Sequence, residues 1–370
     1  MTKKRLYLSP PDIGNNEINY IQDALSKNWV STVGENINAF EATLCKITTS
    51  KFCTAVNSGT SALHLALILA GVKKGDEVIC SSFTFVASAN PILYLEATPV
   101  FVDSEADTWN MSPELLEEAI IDRLKKGKKP KAILLVHLYG QPAKLTELLK
   151  IANQYEINLI EDAAESLGST YHGQMTGTFG LMGIYSFNGN KIITTSAGGA
   201  LISNNPSLTE KAKFLSTQAR DQAIHYQHSE TGYNYRMSNI LAGIGLGQLD
   251  VLDERINKKR LLFDYYKKRL EPSGSFNFPV EQENTFCNRW LSVLTSSASK
   301  PELLHKKLEE NNIESRPLWK PLHLQPLFKG APAYLDGTSE LLFQKGLCLP
   351  SGTKMNEEDL ELVIDILIKK

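Results

Sequence analysis

The segment SFNGNKIITTSAGGA, residues 186–200, places one lysine, Lys191, between two apolar runs. Ile192 and Ile193 follow it directly, and hydroxyl side chains stand on both sides of it. An amine held among apolar groups loses solvation, so its pKa falls and it becomes a usable nucleophile. The alternative is a lysine whose stem packs while its ammonium group reaches water. The segment alone favours this alternative, so other parts of the chain must decide.

The motif NSGTSALHLAL, residues 57–67, combines a turn with the start of a helix. Gly59 allows a close turn, and Thr60 and Ser61 would open the helix. The free N–H groups and the positive dipole end of such a helix suit a phosphate. Serine and threonine are also common helix caps without any ligand, so both interpretations stay open. The motif matches neither the Walker P-loop nor GxGxxG, which argues against ATP and dinucleotides.

Two acids, Glu161 and Asp162, end the apolar run in LIEDAAESLGS, residues 159–169. A carboxylate at a buried strand end is unfavourable unless it meets a cation or a metal. Asp162 could instead cap a helix. No cluster of histidines or cysteines lies near it in the sequence, so we expect an organic cation as its partner and no metal.

Apolar runs alternate with helical patterns over the first two-thirds of the chain. We predict strands at residues 52–56, 77–81, 98–103, 132–140, 157–162, 183–188 and 199–203, and helices near 15–28, 60–70 and 87–95. Strands that are apolar throughout and alternate with helices indicate an α/β fold with a mostly parallel sheet, covered on both faces. Such a sheet binds ligands at the carboxyl ends of its strands.

The composition shifts near Leu249 to a charged helix followed by loop-rich pieces, with further helices near residues 301–311 and from Asn356. We therefore predict a large domain over residues 1–250 and a smaller C-terminal α+β domain over residues 251–370.

Composition excludes several classes of protein. The 370 residues are 42% hydrophobic and 22% charged, as in globular proteins with a sizeable core. With 39 basic and 41 acidic residues, bulk charge favours neither nucleic acid nor a membrane surface as partner. The start of the chain lacks the apolar run of a signal peptide. Five scattered cysteines without CxxC spacing predict reduced thiols in a cytoplasmic protein.

Together, these segments offer an anion-binding turn, a carboxylate, a hydroxyl at Ser186 and a semi-buried lysine. Pyridoxal 5'-phosphate (PLP) needs this set for its phosphate, its pyridinium nitrogen and its aldehyde. Over nearly its whole length the chain also resembles the DegT-type nucleotide-sugar aminotransferases, which have the aspartate-aminotransferase fold (fold type I). The motifs that carry the resemblance are NSGTSALHLAL, SSFTFVASANPI, VHLYGQPA, EDAAESLGS, SFNGNK, GYNYRMSNI and GLCLPSGT.

The resemblance implies roles for the residues singled out above. Lys191 would carry the Schiff base to PLP, and Asp162 would pair with the pyridinium nitrogen. Ser186 would bind the phosphate of the cofactor together with Thr60 and Ser61. Relatives that have histidine in place of the lysine are dehydratases, so the lysine favours transamination.

Three further positions follow from the resemblance. Phe85 would stack on the cofactor ring, with Phe83 as its rival. Asn234 would reach the phosphate of the neighbouring subunit's cofactor, so that a homodimer shares its active sites. Glu165 stands beside the cofactor, where many relatives have histidine or glutamine. Its role is open, because an acid that faces a substrate diphosphate is unfavourable unless it is protonated or turned away.

Three longer stretches, residues 185–196, 214–228 and 315–323, resemble the branch of the family that acts in the UDP-N-acetylbacillosamine pathway. That branch transfers the amino group of L-glutamate to C4 of UDP-4-keto-6-deoxy-N-acetylglucosamine. The alternatives are a dTDP- or GDP-linked keto sugar and a non-catalytic regulatory protein on the same fold. A nicotinamide oxidoreductase is disfavoured because GxGxxG is absent.

Candidate substrate contacts lie in the last third of the chain. Arg316 and Arg289 could bind a diphosphate, because arginine forms paired hydrogen bonds with phosphate. Trp319 could pack on a planar ring of the substrate or simply fill a proline-rich turn. His323 and His225 could equally be ligand contacts or surface residues.

Overall fold

A computed structural model describes residues 5–369 of the chain. The helices are α1 (Glu17–Ser26), α2 (Glu35–Thr48), α3 (Gly59–Leu69), α4 (Asn90–Tyr94), α5 (Pro113–Lys125), α6 (Leu145–Gln154), α7 (Pro206–Ser216), α8 (Asn239–Leu249), α9 (Leu252–Leu270), α10 (Pro301–Glu310), α11 (Thr338–Lys345) and α12 (Glu357–Ile368). The strands are β1 (Phe52–Val56), β2 (Glu77–Ser81), β3 (Thr98–Val102), β4 (Ala132–Val136), β5 (Asn158–Asp162), β6 (Thr170–Tyr171), β7 (Gln174–Met175), β8 (Met182–Ser186), β9 (Gly199–Ser203), β10 (Phe276–Asn277), β11 (Thr285–Phe286), β12 (Ser292–Ser296), β13 (Arg316–Pro317), β14 (Ala333–Tyr334) and β15 (Gly346–Leu349).

The large sheet has eight strands in the order β1-β9-β8-β5-β4-β2-β3-β14. Its neighbours pair in parallel except for β9, which runs antiparallel to both β1 and β8. The predicted α/β fold with a mostly parallel sheet is therefore confirmed. The parallel register brings the last residues of β4 and β5, Val136 and Asp162, side by side.

Successive side chains of the buried strands point to opposite faces of the sheet, and helices cover both faces. In β2, Val78 and Cys80 pack in a cluster with α3 and α7, whereas Ile79 packs with α5 and α6 on the other face. All five residues of β2 and of β4 are buried. Strands without a polar face require helices on both sides, so the apolar runs in the sequence correspond to the centre of the sheet.

The predicted strand over residues 132–140 is wrong in its second half. Strand β4 ends at Val136, and residues Leu138–Gly140 form a short 3-10 turn. Tyr139 has a φ of 52°, a left-handed conformation that cannot continue a strand. This turn directs the chain away from the sheet next to the carboxyl end of β4.

The last third of the chain builds a second, antiparallel sheet in the order β10-β12-β15-β13. It packs with α9, α10 and α12 around a core of its own. Strand β14 instead extends the large sheet beside β3. The domain boundary after residue 250 stays a prediction.

Helix α1 forms where it was predicted, with Ile18 and Leu25 exposed and Ala24 buried. Among residues 5–369, none of the helices is both long and apolar enough to cross a membrane.

Candidate active site

A cavity of about 370 Å³ opens at the carboxyl ends of the parallel strands. Val136, Asp162 and Ser186, the final residues of β4, β5 and β8, all line it. The position agrees with the rule that open α/β sheets bind ligands at these strand ends. Of the residues predicted from the sequence, the cavity brings together Thr60, Phe85, Asp162, Glu165, Ser186, Lys191 and Trp319.

Lys191 lies in the connection between β8 and β9, with its backbone N–H donating to the carbonyl of Asn188 at 3.0 Å. Ile192 and Ile193 are buried in the core beneath it and anchor the connection. The side chain of Lys191 itself is 13% exposed and lines the cavity. The apolar neighbours therefore fix the loop, and the amine is left facing the cavity.

Asp162 is a buried carboxylate at the end of β5. Its Oδ2 accepts a hydrogen bond from the hydroxyl of Ser88 at 2.7 Å, and its Oδ1 accepts one from the backbone N–H of Ala164 at 3.2 Å. Burial raises the pKa of Asp162, while the bond from Ser88 and the charge of Lys191 oppose that rise. No helix starts at Asp162, so helix capping does not account for it.

Glu165 provides a second buried carboxylate, 5% exposed. Its Oε2 accepts from the backbone N–H of Tyr139 at 2.7 Å, and its Oε1 lies 3.6 Å from the Nζ of Lys191. Burial raises the pKa of Glu165, Lys191 lowers it, and the nearby Asp162 raises it further. We call Asp162, Glu165 and Lys191 the charged wall of the cavity, in which one amine faces two carboxyl groups.

The amino end of α3 forms the second side of the cavity. Ser58 caps the helix by accepting from the backbone N–H of Ser61 at 3.0 Å. Gly59 and Thr60 line the cavity, whereas the hydroxyl of Ser61 donates to the side chain of Asn57 at 2.6 Å. A Cβ on Gly59 would lie 3.0 Å from the Cβ of Ser186, so glycine lets the helix approach the end of β8.

Three aromatic side chains, Phe85, Trp290 and Trp319, form what we call the aromatic wall. The ring of Trp290 lies 4.2 Å from the Nζ of Lys191. Phe85 is 48% exposed and packs against Trp319 with ring centroids 5.1 Å apart. Phe83 is 2% exposed and packs in the interior, so of the two phenylalanines only Phe85 faces the cavity.

The two predicted arginines lie outside the lining of this cavity. The guanidinium of Arg289 lies 3.9 Å from the ring centroid of Phe263 and 3.6 Å from a carboxylate oxygen of Glu281. Arg316 is 62% exposed and pairs with Glu314 at 3.1 Å. Within one chain, neither guanidinium reaches the charged wall.

The other predicted contacts are also outside the lining of this cavity. His323 bridges the hydroxyl of Ser82 at 2.7 Å and the carboxylate of Glu340 at 3.2 Å. His225 is an exposed surface residue. Asn234 is exposed too, and its backbone carbonyl accepts from the side chain of Asn57 at 3.2 Å.

Several lining residues escaped the sequence reasoning, among them Ser88, Asn188, Asn190 and Trp290. Trp290 directly follows Arg289, which we predicted as a diphosphate contact, and Ser88 lies inside the motif SSFTFVASANPI. A buried carboxylate needs a donor, so a serine after another parallel strand was the available signal for Ser88. No local signal distinguishes Trp290 from any other buried aromatic residue.

The residues present fit PLP. The helix start at Gly59 and Thr60 can hold its phosphate, Asp162 can hold a proton on its ring nitrogen, and the amine of Lys191 can bond to its aldehyde carbon. When bound, PLP supplies an electron sink for the electrons left on a substrate carbon that loses a proton. The chain can orient the ring, exclude water and move that proton through the amine of Lys191.

Comparisons with known proteins agree with this geometry. Residues 11–368 match the model of the DegT/DnrJ/EryC1/StrS aminotransferase family. EpsN of Bacillus subtilis (strain 168), assigned as a pyridoxal phosphate-dependent aminotransferase, is 52% identical over 99% of this chain and 95% of its own. GDP-perosamine synthase of Escherichia coli O157:H7 is 37% identical over 95% of this chain and 94% of its own.

The fold is shared with solved members of that family. Spr1654 of Streptococcus pneumoniae, assigned as a sugar aminotransferase and solved in its PLP form, superposes with a TM-score of 0.90 at 28% identity, covering 98% of this chain and 97% of its own. A family member from Brucella abortus gives a TM-score of 0.90 at 28% identity, covering 95% and 94% of the two chains. The protein described here therefore belongs to the DegT/DnrJ/EryC1/StrS aminotransferases, a family of PLP-dependent enzymes.

Proposed function

We propose that the protein transfers the amino group of L-glutamate to C4 of UDP-4-keto-6-deoxy-N-acetylglucosamine. The observation that carries the reaction type is the amine of Lys191, held 3.6 Å from Glu165 in the cavity that Asp162 also lines. The sugar rests on the likeness of residues 185–196, 214–228 and 315–323 to the bacillosamine branch. The first and last of these stretches supply Lys191 and Trp319 to the cavity.

A GDP-linked 4-keto-6-deoxy sugar is the second candidate. It is supported by relatives from three bacteria that are named GDP-perosamine synthase and are 34–37% identical to this chain over at least 95% of its length. The two candidates share the amino transfer at C4 and differ in the nucleotide and in the substituent at C2 of the sugar.

The residues of the chain divide the work of this reaction. With PLP bound, Lys191 would be the base that takes up and returns the proton at the substrate carbon in both half-reactions. Asp162 would hold a proton on the ring nitrogen, which would make the ring a better electron acceptor. The aromatic wall shields both from water. We place the reaction in the cytoplasm, on the strength of the scattered free cysteines.

The proposal includes a homodimer whose active sites are shared. Asn234 is exposed, and the nearby segment exposes Ile224 and Tyr226 almost completely, at 106% and 76%. Ile18 and Leu25 on α1 add exposed apolar surface. A second copy that packed on this segment and on α1 would bury these side chains.

The sugar is tested with purified enzyme, glutamate and a panel of UDP-, dTDP- and GDP-linked 4-keto-6-deoxy sugars. Amination of the UDP-linked N-acetyl sugar with the highest kcat/KM supports the first candidate, and preference for a GDP-linked sugar supports the second. Conversion of glutamate to 2-oxoglutarate without any sugar product would show the transaminase chemistry while rejecting both sugars. No reaction with glutamate would favour a regulatory protein on this fold.

The shared site is tested by co-expressing two inactive variants, Lys191→Ala and Asn234→Asp. Aspartate at position 234 would face a phosphate that carries about −1.5 to −2 charges, so it should weaken cofactor binding. If Asn234 serves the partner's site, each mixed dimer has one site with both defects and one with neither. With random exchange, activity should return to about a quarter of that of the wild type. Mixed dimers without any recovered activity would show that Asn234 serves its own chain.

A further inference from the structure

A buried lysine outside the cavity is left unexplained by the chemistry above. Lys259 lies in α9 and is 3% exposed. Its Nζ donates to three uncharged oxygens, the hydroxyl of Ser9 at 3.1 Å and the backbone carbonyls of Trp290 and Ser351 at 2.9 Å each. Burial lowers the pKa of Lys259 to about 7, and the charge of Asp12 opposes that shift. A buried ammonium is tolerated only when its donors are satisfied, and these three acceptors satisfy it.

Two of these three partners also hold the backbone next to Lys191. The carbonyl of Asn190 accepts from the hydroxyl of Ser9 at 3.1 Å and from the indole N–H of Trp290 at 2.6 Å. Lys259 is therefore separated by a single residue, along either route, from the peptide that carries the catalytic lysine.

The route through Trp290 also reaches the amine itself. The indole ring lies 4.2 Å from the Nζ of Lys191 and is 1% exposed, so its tilt is set by the groups that hold its backbone and its N–H. The negative face of an indole ring attracts a cationic nitrogen. A change in the tilt of Trp290 would therefore change the attraction between the ring and a positive charge on this nitrogen.

We propose that Lys259 is a positioning residue for Lys191, which fixes the Trp290 ring and the Asn190 carbonyl around the catalytic amine. The proposal rests on Lys191 carrying the cofactor, and not on the identity of the sugar. A lysine that merely ties three segments together would contribute to folding stability alone, whereas a positioning lysine also changes a property of the nitrogen of Lys191.

The test is an absorbance titration of the purified holoenzyme against pH, which follows the proton on the nitrogen that joins Lys191 to the cofactor. Lys259→Met should lower the apparent pKa of that nitrogen by about 0.5–1.5 pH units. Without Lys259 the Trp290 ring would tilt, and its face would attract the positive nitrogen less strongly. The matched control is Lys268→Met, which removes an exposed lysine from the same helix and should titrate as the wild type. Asp162 and Glu165, the carboxylates that face Lys191, are present in every variant, so their effect cancels.

A double-mutant cycle with Trp290→Leu decides whether Lys259 acts through the ring. We expect the double variant to titrate as Trp290→Leu alone, because the route through Ser9 also ends at the ring, whose N–H donates to the Asn190 carbonyl that Ser9 holds. Shifts that add in the double variant, or a folded Lys259→Met enzyme that titrates as the wild type, would overturn the proposal. If Lys259→Met does not fold, Ser9→Ala removes one of the two links to Asn190. A downward shift in Ser9→Ala then supports the proposal, and an unchanged titration overturns it.

Discussion

The two walls of the cavity are built from opposite kinds of groups. The charged wall (Asp162, Glu165 and Lys191) places two carboxyl groups and one amine where burial raises the pKa of both acids. The aromatic wall (Phe85, Trp290 and Trp319) places rings against one another and against the amine. Buried charge is unfavourable for folding, whereas buried aromatic area is favourable. The protein thus keeps its electrostatically strained groups next to the sheet and covers them with apolar surface.

This contrast predicts that substitutions in the two walls change different kinetic constants. Groups that change charge during the reaction act on the chemical step, so substitutions of Lys191 and Asp162 in the charged wall should lower kcat in both half-reactions. Phe85 and Trp319 would only pack on the substrate and bind its ground state and transition state alike, so substitutions of these two rings should raise KM for the sugar. Trp290 is the exception, because its ring also contacts the amine of Lys191. The half-reaction with glutamate, which needs no sugar, separates the two kinds of effect.

The largest effect should come from Lys191→Ala. Loss of the proton transfer alone lowers the rate by about 10²–10⁴-fold, and loss of the bond to the cofactor adds to it. Single-turnover reaction with glutamate measures this directly, with Lys268→Ala as an exposed lysine control. Borohydride reduction of the wild type should fix the cofactor to Lys191. Labelling of a different lysine would show that Lys191 does not carry the cofactor.

Asp162→Asn should have the second-largest effect. Asparagine keeps the size of the side chain and can still bond to Ser88, but it cannot stabilise a proton on the ring nitrogen. We expect kcat to fall by about 10²–10³-fold in both half-reactions, as when a catalytic electrostatic partner is removed. Comparable unfolding temperatures for the two proteins would show that the fold is intact. Near-normal turnover would mean that Glu165, and not Asp162, pairs with the nitrogen.

Trp319→Ala should have a smaller effect of another kind. A ring contact is worth about 0.5–1.5 kcal/mol, so KM for the keto sugar should rise about 2- to 12-fold while the half-reaction with glutamate stays unchanged. Trp319→Phe keeps a ring beside Phe85 and Tyr139 and should recover most of the loss. A slower reaction of Trp319→Ala with glutamate would show that Trp319 acts on the chemical step and not only on sugar binding.

The charged wall could be predicted from the sequence to a much greater extent than the aromatic wall. Asp162 ends β5, and Lys191 follows β8, which pairs in parallel with β5, so local patterns sufficed to place both residues at one edge of the sheet. Trp290 and Trp319 reach the cavity from the C-terminal part of the chain through long-range packing, which leaves no local pattern. We predicted Arg289 as a ligand contact, whereas its neighbour Trp290 lines the cavity. Only the fold decides which of two adjacent side chains faces a ligand.

Glu165→Gln tests the electrostatic strain in the charged wall and should give the smallest effect, on stability. Burial is the main cause that raises the pKa of Glu165 in the folded protein. The folded state therefore binds this proton more readily than the unfolded state, and Glu165 destabilises the fold increasingly as pH rises through its folded-state pKa. Glutamine keeps an acceptor for the N–H of Tyr139 and carries no charge.

The cofactor-free Glu165→Gln protein should accordingly melt a few degrees above the wild type near pH 8. The difference should vanish as the pH falls below the ordinary carboxyl pKa of about 4.3, where both side chains are neutral in both states. Glu283→Gln, which neutralises an exposed acid, should show no such pH-dependent difference. A lower melting temperature for Glu165→Gln near pH 8 would mean that the attraction of Lys191 outweighs burial. The charged wall would then stabilise the fold as the aromatic wall does, and the contrast between them would be one of catalysis alone.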